Sequence, residues 1–513
     1  MTRLREVGTA ARWTRSCSSI QPVDRRGVAL ALICGLAFAS CGHGEVRPPN
    51  IFLLLIDTLR ADRVSCYQPA GAQPPLTPFL AAFAEHSAVF RKAYAQSSWT
   101  KPSVASLFTS RYPSQHHVTE FGVNLAAGEA TVAAALKARG YSTASFSANV
   151  LVSWQGYEQG FDHFAYIGPP PSEGIGKGRA DQVNSAALTW LDEQPTGSGA
   201  RPVFLYLHYM EPHIPFGPPG STLDAIMRQR GPLEARSRGV ERARKWIDGY
   251  FALLREQGAA ASDRGPEPID DEILGGLQDL YEAEVLSLDT RLAEFFSQLQ
   301  NRGWLDHALV VVTADHGEEL RDHGKFGHGG TLYNEVVHVP LLIRPPHAVE
   351  RTELDDAVAL IDVAPTLLDY SGAAPPATFE GRSLRGLIEP RRSYPWLEKL
   401  RARFAPGQTR PVYSELFPYY EFQRRNPKRH RRSVIVDSFK LIQRVDGSME
   451  TYNLADDAAE QSTATAPSPA AGDLGGVLDR FARRMANSEN SASAPTPLDA
   501  STTEKLHALG YVH

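Results

Sequence analysis

Three stretches of this chain are almost wholly apolar: Ile51-Phe52-Leu53-Leu54-Leu55-Ile56, Ala308-Leu309-Val310-Val311-Val312 and Val203-Phe204-Leu205-Tyr206-Leu207-His208. Runs without alternation read as strands covered on both faces, as in a parallel sheet. Helical patterns separate them. Glu129 to Arg139 is one, ended by Gly140, and Asp271 to Gln300 is a long one; Tyr141 to Ala148 adds a strand. Strand and helix alternate in this way from Asn50 to about Arg344, which predicts an α/β domain with helices on both faces of its sheet.

Two segments break the alternation. Residues 217–270 are rich in Gly, Pro and Arg around one predicted helix, and have the look of an insertion. Prolines and glycines near 169–177 mark a surface loop. After about residue 405 the apolar runs shorten to Val412–Glu415, Ser433–Asp437, Phe439–Arg444 and Met449–Leu454, which predicts a small antiparallel sheet. Residues 458–475 and 487–502, rich in Ala, Ser, Thr and Pro, fit no packed core.

Chemistry gathers where the long strands end. Asp57 follows the first and the Asp315-His316 pair another, and ligands in open α/β sheets bind beyond the carboxyl ends of strands. Two carboxylates and an imidazole brought together there suit a divalent cation. In Ser98-Trp99-Thr100-Lys101-Pro102-Ser103, Pro102 marks the opening turn of a helix, with Thr100 just before it. A hydroxyl beside both a cation and a helix N-terminus is a candidate nucleophile, and the helix amides favour an anion.

The chain has 513 residues, 42% hydrophobic and 22% charged, with a net charge of −5. That excludes the basic domain of a typical nucleic-acid binder. The N-terminus predicts export: Arg25-Arg26, an apolar run from Val28 to Phe38, then Ala39-Ser40-Cys41. Small residues before a Cys resemble the lipobox of bacterial lipoproteins, in which Cys41 would carry lipid. The expected division is a signal peptide at 1–40, a tether at 41–49, a catalytic domain at 50–400 and a C-terminal subdomain at 405–513. The expected location is the periplasm or the outer membrane, through the lipid anchor. Cys17 and Cys34 lie in the removed segment, so Cys66 would be the one thiol left and no internal disulfide is expected. The basic run Arg424 to Arg432 reads as a solvated loop.

Taken together, the motifs resemble the sulfatase family of the alkaline phosphatase superfamily, from about Asn50 to the C-terminus. Thr100, Pro102, Ser103, Leu107 and Thr109 fall on the family's nucleophile frame. The turn Met210-Glu211-Pro212-His213 matches, as do Asp315-His316-Gly317-Glu318, Lys325 and His328-Gly329-Gly330. Further on, Phe439-Lys440-Leu441-Ile442, Tyr452-Asn453-Leu454 and Leu509-Gly510-Tyr511-Val512 match too. The resemblance implies an alkaline phosphatase-like three-layer sandwich with a mostly parallel central sheet, plus a small C-terminal α+β subdomain. It also implies one divalent metal (Ca²⁺, Mg²⁺, Mn²⁺ or Zn²⁺) held by Asp57, Thr100, Asp315 and His316. Lys325 and His213 would contact the substrate oxygens and steady the leaving group. His328 would bond the leaving oxygen or brace its loop, and Lys101, a surface charge, stands near enough to meet an anionic ester. His208, His323 and Glu318 would support these residues from behind.

Two departures redirect the expected chemistry. Where the family has a Cys, oxidised to formylglycine, this chain has Thr100; where it has Arg, Val104. Where the family usually has paired acids at the first metal strand, this chain has Asp57-Thr58. One acid, a Thr and an Asp-His pair is similar to the single-metal set of lipoteichoic acid synthases and phosphoethanolamine transferases, and phosphonate monoester hydrolases share the single acid and the Asp-His. The expected function is an exported, metal-dependent hydrolase of sulfate or phosphate esters or phosphonates, with phosphoesters favoured. The substrate would be a small-molecule, glycan or lipid-linked anionic ester; no nucleic-acid or protein partner is expected. The alternatives are a phosphoryl-group transferase to a glycan or lipid, and a non-catalytic binding protein on the same scaffold.

Overall fold

The computed structural model describes residues 47–69, 75–153, 155–168, 177–197, 199–257, 265–347, 349–389, 410–417, 430–463 and 473–486. The leader, Cys41, most of the tether, most of the basic run from Arg424, residues 464–472 and 487–502, and Leu509–Val512 lie outside the described residues. No helix among the described residues is long and apolar enough to cross a membrane.

The main strands are β1 (Asn50–Ile56), β2 (Ala88–Tyr94), β3 (Ser142–Ser147), β4 (His163–Tyr166), β5 (Val203–Tyr209), β6 (Ala308–Ala314), β7 (Glu319–Leu320), β8 (Phe326–Gly327), β9 (His338–Val339), β10 (Leu341–Arg344) and β11 (Thr352–Ala359). All but β7 and β8 join one nine-stranded sheet in the order β11-β2-β10-β6-β1-β5-β3-β4, with β9 paired to β2. Helices cover both faces, the three-layer α/β sandwich that the resemblance implied. The apolar runs are its centre: β1 lies between β5 and β6, parallel to both, and every residue from Ile51 to Ile56 and from Leu309 to Val312 is fully buried.

Register decides where the chemistry goes. Ile56 pairs with Ala314 on one side and Tyr209 on the other. The residues that follow, Asp57, Asp315 and Met210, therefore leave the sheet side by side. β3 pairs with β5 up to Ser147 and His208, so its end joins the same edge. The sheet is not wholly parallel: β10 runs antiparallel to both β6 and β2.

The main helices are α1 (Thr100–Thr109), α2 (Val132–Ala138), α3 (Ala180–Asp192), α4 (Gly220–Arg230), α5 (Leu233–Gln257), α6 (Asp271–Asn301) and α7 (Leu474–Ala486). α2 starts three residues later than the sequence pattern suggested, because the Thr131 hydroxyl accepts from the Ala134 amide and caps it there. The described residues of segment 217–270 hold two helices rather than one: Gly231, at φ 147°, and Pro232 break the chain between α4 and α5. α5 crosses α6 at two glycines, and a Cβ on Gly276 would sit 2.1 Å from the Gly239 carbonyl oxygen. Trp246 and Tyr250 of α5, stacked on each other, both meet the ring of Phe326 in β8 edge-on.

The C-terminal strands β12 (Val412–Leu416), β13 (Arg431–Val436), β14 (Phe439–Arg444) and β15 (Met449–Asn453) form an antiparallel sheet in that order. Its first strand is bonded to the segment before α1: Ser414 Oγ donates to Ala95 O (2.6 Å) and the Glu415 amide to Gln96 O (2.8 Å). α7 lays its apolar stripe, Leu474, Leu478, Phe481 and Met485, against this layer, with Phe481 stacked on Tyr413 at 4.0 Å. Cys66 is a buried free thiol.

Candidate active site

Asp57 and Asp315 are fully buried, and each keeps one carboxylate oxygen without a hydrogen-bond partner, Oδ1 of Asp57 and Oδ2 of Asp315. The other oxygens are fixed. Asp315 Oδ1 accepts from the amides of Thr58 (3.3 Å) and His316 (2.9 Å), and Asp57 Oδ2 accepts from Asn149 Nδ2 at 2.6 Å. His316 is turned by the contact of its Nδ1 with Gly317 O (2.9 Å), which makes Nδ1 the donor and leaves the Nε2 lone pair facing the acids. Nε2 lies 3.4 Å from Asp315 Oδ2 and 3.8 Å from Asp57 Oδ1. One ligand atom from each of the three lies within 4.8 Å of the others.

The electrostatics point the same way. Burial pushes Asp57 up, but the His208 hydrogen bond and three nearby imidazoles outweigh it and hold the carboxyl well below the usual range. Asp315 is driven well above that range by burial and by the charge of Asp57. Burial, chiefly, lowers His316 to about 3, so its ring is neutral. Two unpaired buried carboxylate oxygens and a neutral imidazole lone pair are a donor set that fits a divalent cation.

Thr100 completes the cluster. Its Oγ1 is 3.3 Å from His316 Nε2 and 3.5 Å from Asp57 Oδ2. It is the first residue of α1, one step further in than its sequence position suggested, and no side chain caps that helix start. Ser103 Oγ donates to Asp315 O at 2.6 Å, pinning α1 to the end of β6.

Lys101 is not the surface charge expected. It is fully buried, and its ammonium donates to Phe121 O and Gln155 Oε1, both at 2.6 Å. Burial lowers it to about 7. The structure therefore spends its donors on the protein's own loops.

His213 and His328 do converge here. The His328 ring lies 4.6 Å from that of His316 and 5.0 Å from that of His213, centre to centre. Glu318 Oε1 meets His328 Nδ1 at 2.9 Å; burial opposes a proton on that ring, but the Glu318 charge prevails and raises its pKa. His213, buried, with Nδ1 against Ile214 O, is lowered to about 4, mainly by burial. Lys325 stands on the hairpin of β7 and β8 that leads to His328, its carbonyl accepting from the Arg321 amide (2.7 Å) and its stem beside Gly330. His208 sits behind Asp57, Nε2 to Oδ2 at 3.4 Å, with Nδ1 on the Tyr206 hydroxyl at 3.0 Å.

His323 has a different place. It bridges Glu335 (Nδ1 to Oε1, 2.6 Å) and the carbonyl of Glu460 (3.0 Å), stacked on Tyr333 at 3.7 Å. Glu460 also pairs with Lys440 at 2.7 Å, both fully buried, so His323 ties the hairpin to β14. Burial opposes its charge, but the Glu335 bond wins and raises it to about 9. A folded-state pKa above the unfolded value contributes stability below about 6.5 that is lost as pH rises through about 9. The difference in Tm between wild type and Glu335→Gln should therefore shrink from pH 6.5 to 10 in thermal melts; a constant difference would remove His323 from this role.

Two residues had no place among the candidates the sequence offered. Asn149 stands in no motif, although it follows a strand end on the same edge, the signal that marks Asp57. Thr58 contributes through its backbone: at φ 56°, unusual for a β-branched residue, it turns its amide to Asp315 and its carbonyl to the Tyr281 hydroxyl (2.8 Å).

The family model for sulfatases matches residues 49–373, and one described as N-sulphoglucosamine sulphohydrolase, C-terminal, matches 322–469. The chain is 22% identical to an N-acetylglucosamine-6-O-sulfatase of Bacteroides thetaiotaomicron, over 85% of this chain and 87% of that one. Among solved structures, a protein in complex with its substrate D-glucosamine-2-N,6-O-disulfate superposes with a TM-score of 0.66 at 20% identity, over 87% of this chain and all of that one. The phosphonate monoester hydrolase of Agrobacterium radiobacter superposes with a TM-score of 0.65 at 21% identity, over 86% of this chain and 96% of that one.

Proposed function

The chain belongs to the sulfatase family, whose members are metal-dependent hydrolases of sulfuric and phosphoric esters, and we propose that within it this protein is a Thr-nucleophile esterase that prefers phosphoryl substrates. One observation carries the reading: Thr100 Oγ1 stands 3.3 Å from His316 Nε2 and 3.5 Å from Asp57 Oδ2, at a helix start.

Asp57, Asp315, His316 and Thr100 would hold the cation, which when bound lowers the pKa of the hydroxyl and offsets charge on the reacting group. A donor set with an imidazole and few oxygens favours Mn²⁺ or Zn²⁺ over Ca²⁺, which takes six to eight oxygens. Thr100, its proton lost to solvent, forms a bond from Oγ1 to phosphorus as the bond to the ester oxygen breaks. His328, held by Glu318, gives that oxygen its proton; Lys325 steadies the others, joined by His213 when the bound anion holds a proton on its ring. Water then cleaves the Thr100 ester and restores the hydroxyl. By likeness to the glucosamine sulfatases, the alcohol portion is a sugar. Export and lipid anchoring at Cys41 belong to the same proposal, since surface glycans are met outside the cell.

The test is a panel of one alcohol, 4-nitrophenol, esterified as sulfate, phosphate, phosphodiester and phosphonate, given to the Mn²⁺- or Zn²⁺-loaded protein. A phosphoryl ester should turn over fastest. Faster sulfate turnover would reverse the preference, and a product that forms only with an added sugar or glycerol acceptor would identify a transferase.

A further inference from the structure

The turn that carries His213 is held from outside the catalytic cluster. Lys177 Nζ donates to His213 O at 2.7 Å and pairs with Glu284 Oε1 at 2.8 Å. The same Glu284 oxygen accepts from the Gly217 amide at 2.7 Å. One carboxylate of α6 and one ammonium thus close a ring around residues 213–217. Glu284 is buried, and Lys177 nearly so. A second bond fastens the same turn to the same segment, from the Ala180 amide at the start of α3 to Glu211 Oε1 (2.9 Å). Between the two, Gly178 lies so close to Ile167 O that a Cβ would sit 1.8 Å from it, so the strap itself has little room to shift.

We propose that Lys177 and Glu284 are positioning residues that set the His213 imidazole for catalysis. The inference rests on the role assigned to His213 under the proposed function. Lys177 bonds His213 at its carbonyl, so it acts on the imidazole through the backbone of that residue. A side chain displaced by about 1 Å can cost about 100-fold in rate.

A double-mutant cycle on the full-length, metal-loaded enzyme tests this, with kcat and KM measured on the best ester of the panel. Lys177→Met should lower kcat about 10- to 100-fold with metal content unchanged and KM moved little. Lys177→Arg should recover most of the loss. In a His213→Ala background Lys177→Met should cost less than about twofold, because nothing is left to position. Glu284→Gln, which keeps the acceptor and removes the charge, gives the same cycle if Lys177→Met does not fold. Losses that add in full on the His213→Ala background, or a kcat of wild-type size in Lys177→Met, would overturn the positioning role alone. Full activity in His213→Ala would overturn the reading of His213, and the inference with it.

Discussion

Thr100→Ala should leave a folded protein with little or no ester turnover, a loss on the order of 10³-fold or more, as for other removed nucleophiles. Oγ1 is set against both His316 Nε2 and Asp57 Oδ2, and the residue is buried at the start of a helix. Thr100→Ser keeps the oxygen but drops the methyl that restricts χ1, so it should retain a measurable fraction of kcat. On the proposed mechanism the same residue also decides the substrate. In formylglycine enzymes the second hydroxyl of the aldehyde hydrate expels sulfate. A Thr ester has no such exit and waits for water, which clears a phosphoryl group on a hydroxyl nucleophile more readily where cations stabilise the charge. Steady-state kinetics on the matched esters, with circular dichroism as the control for folding, are the measurement. Undiminished turnover by Thr100→Ala on any ester would end the nucleophile assignment.

Much of this site is legible in the amino-acid sequence. β1 and β6 lie buried on both faces, so no polar residue interrupts them, and the first charge after each run marks where the strand leaves the core. Asp57 and Asp315 are visible for that reason, and the β1–β6 register brings them together. β14 is legible residue by residue, Phe439 to Arg444, because its pattern stops at a turn on either side. What escapes depends on contacts distant in sequence. Lys101 reads as a surface charge until the Phe121 carbonyl, twenty residues on, supplies its partner. Asn149 has no pattern of its own, and Lys177 is a lone cation in a loop. β10 is four residues long and follows a one-turn helix, Asn334–Val337, so its antiparallel direction leaves no signature in the sequence.

Asp315→Asn should sever the link between metal and stability. In wild type without metal, burial and the repulsion of Asp57 both oppose a charge on Asp315, which is why its carboxyl is pushed up. A cation removes that repulsion, and at 100 times its Kd it adds about 2.7 kcal/mol of stability. Asn keeps the oxygen that accepts from the Thr58 and His316 amides, so the turn after β6 should stay in place. It removes the charge of one of the two carboxylates in the described cluster, and metal affinity should fall by about 100-fold or more. The expected signature is a crossing. Without metal the variant should melt above the wild type, having lost the repulsion; with Mn²⁺ or Zn²⁺ it should melt below, having lost the ligand. Metal titration followed by thermal melts reads both halves without an activity assay, and elemental analysis should find one metal per wild-type chain. Two metals per chain, or a variant that binds one with wild-type affinity, would show that Asp57, Asp315 and His316 are not the set that holds the ion.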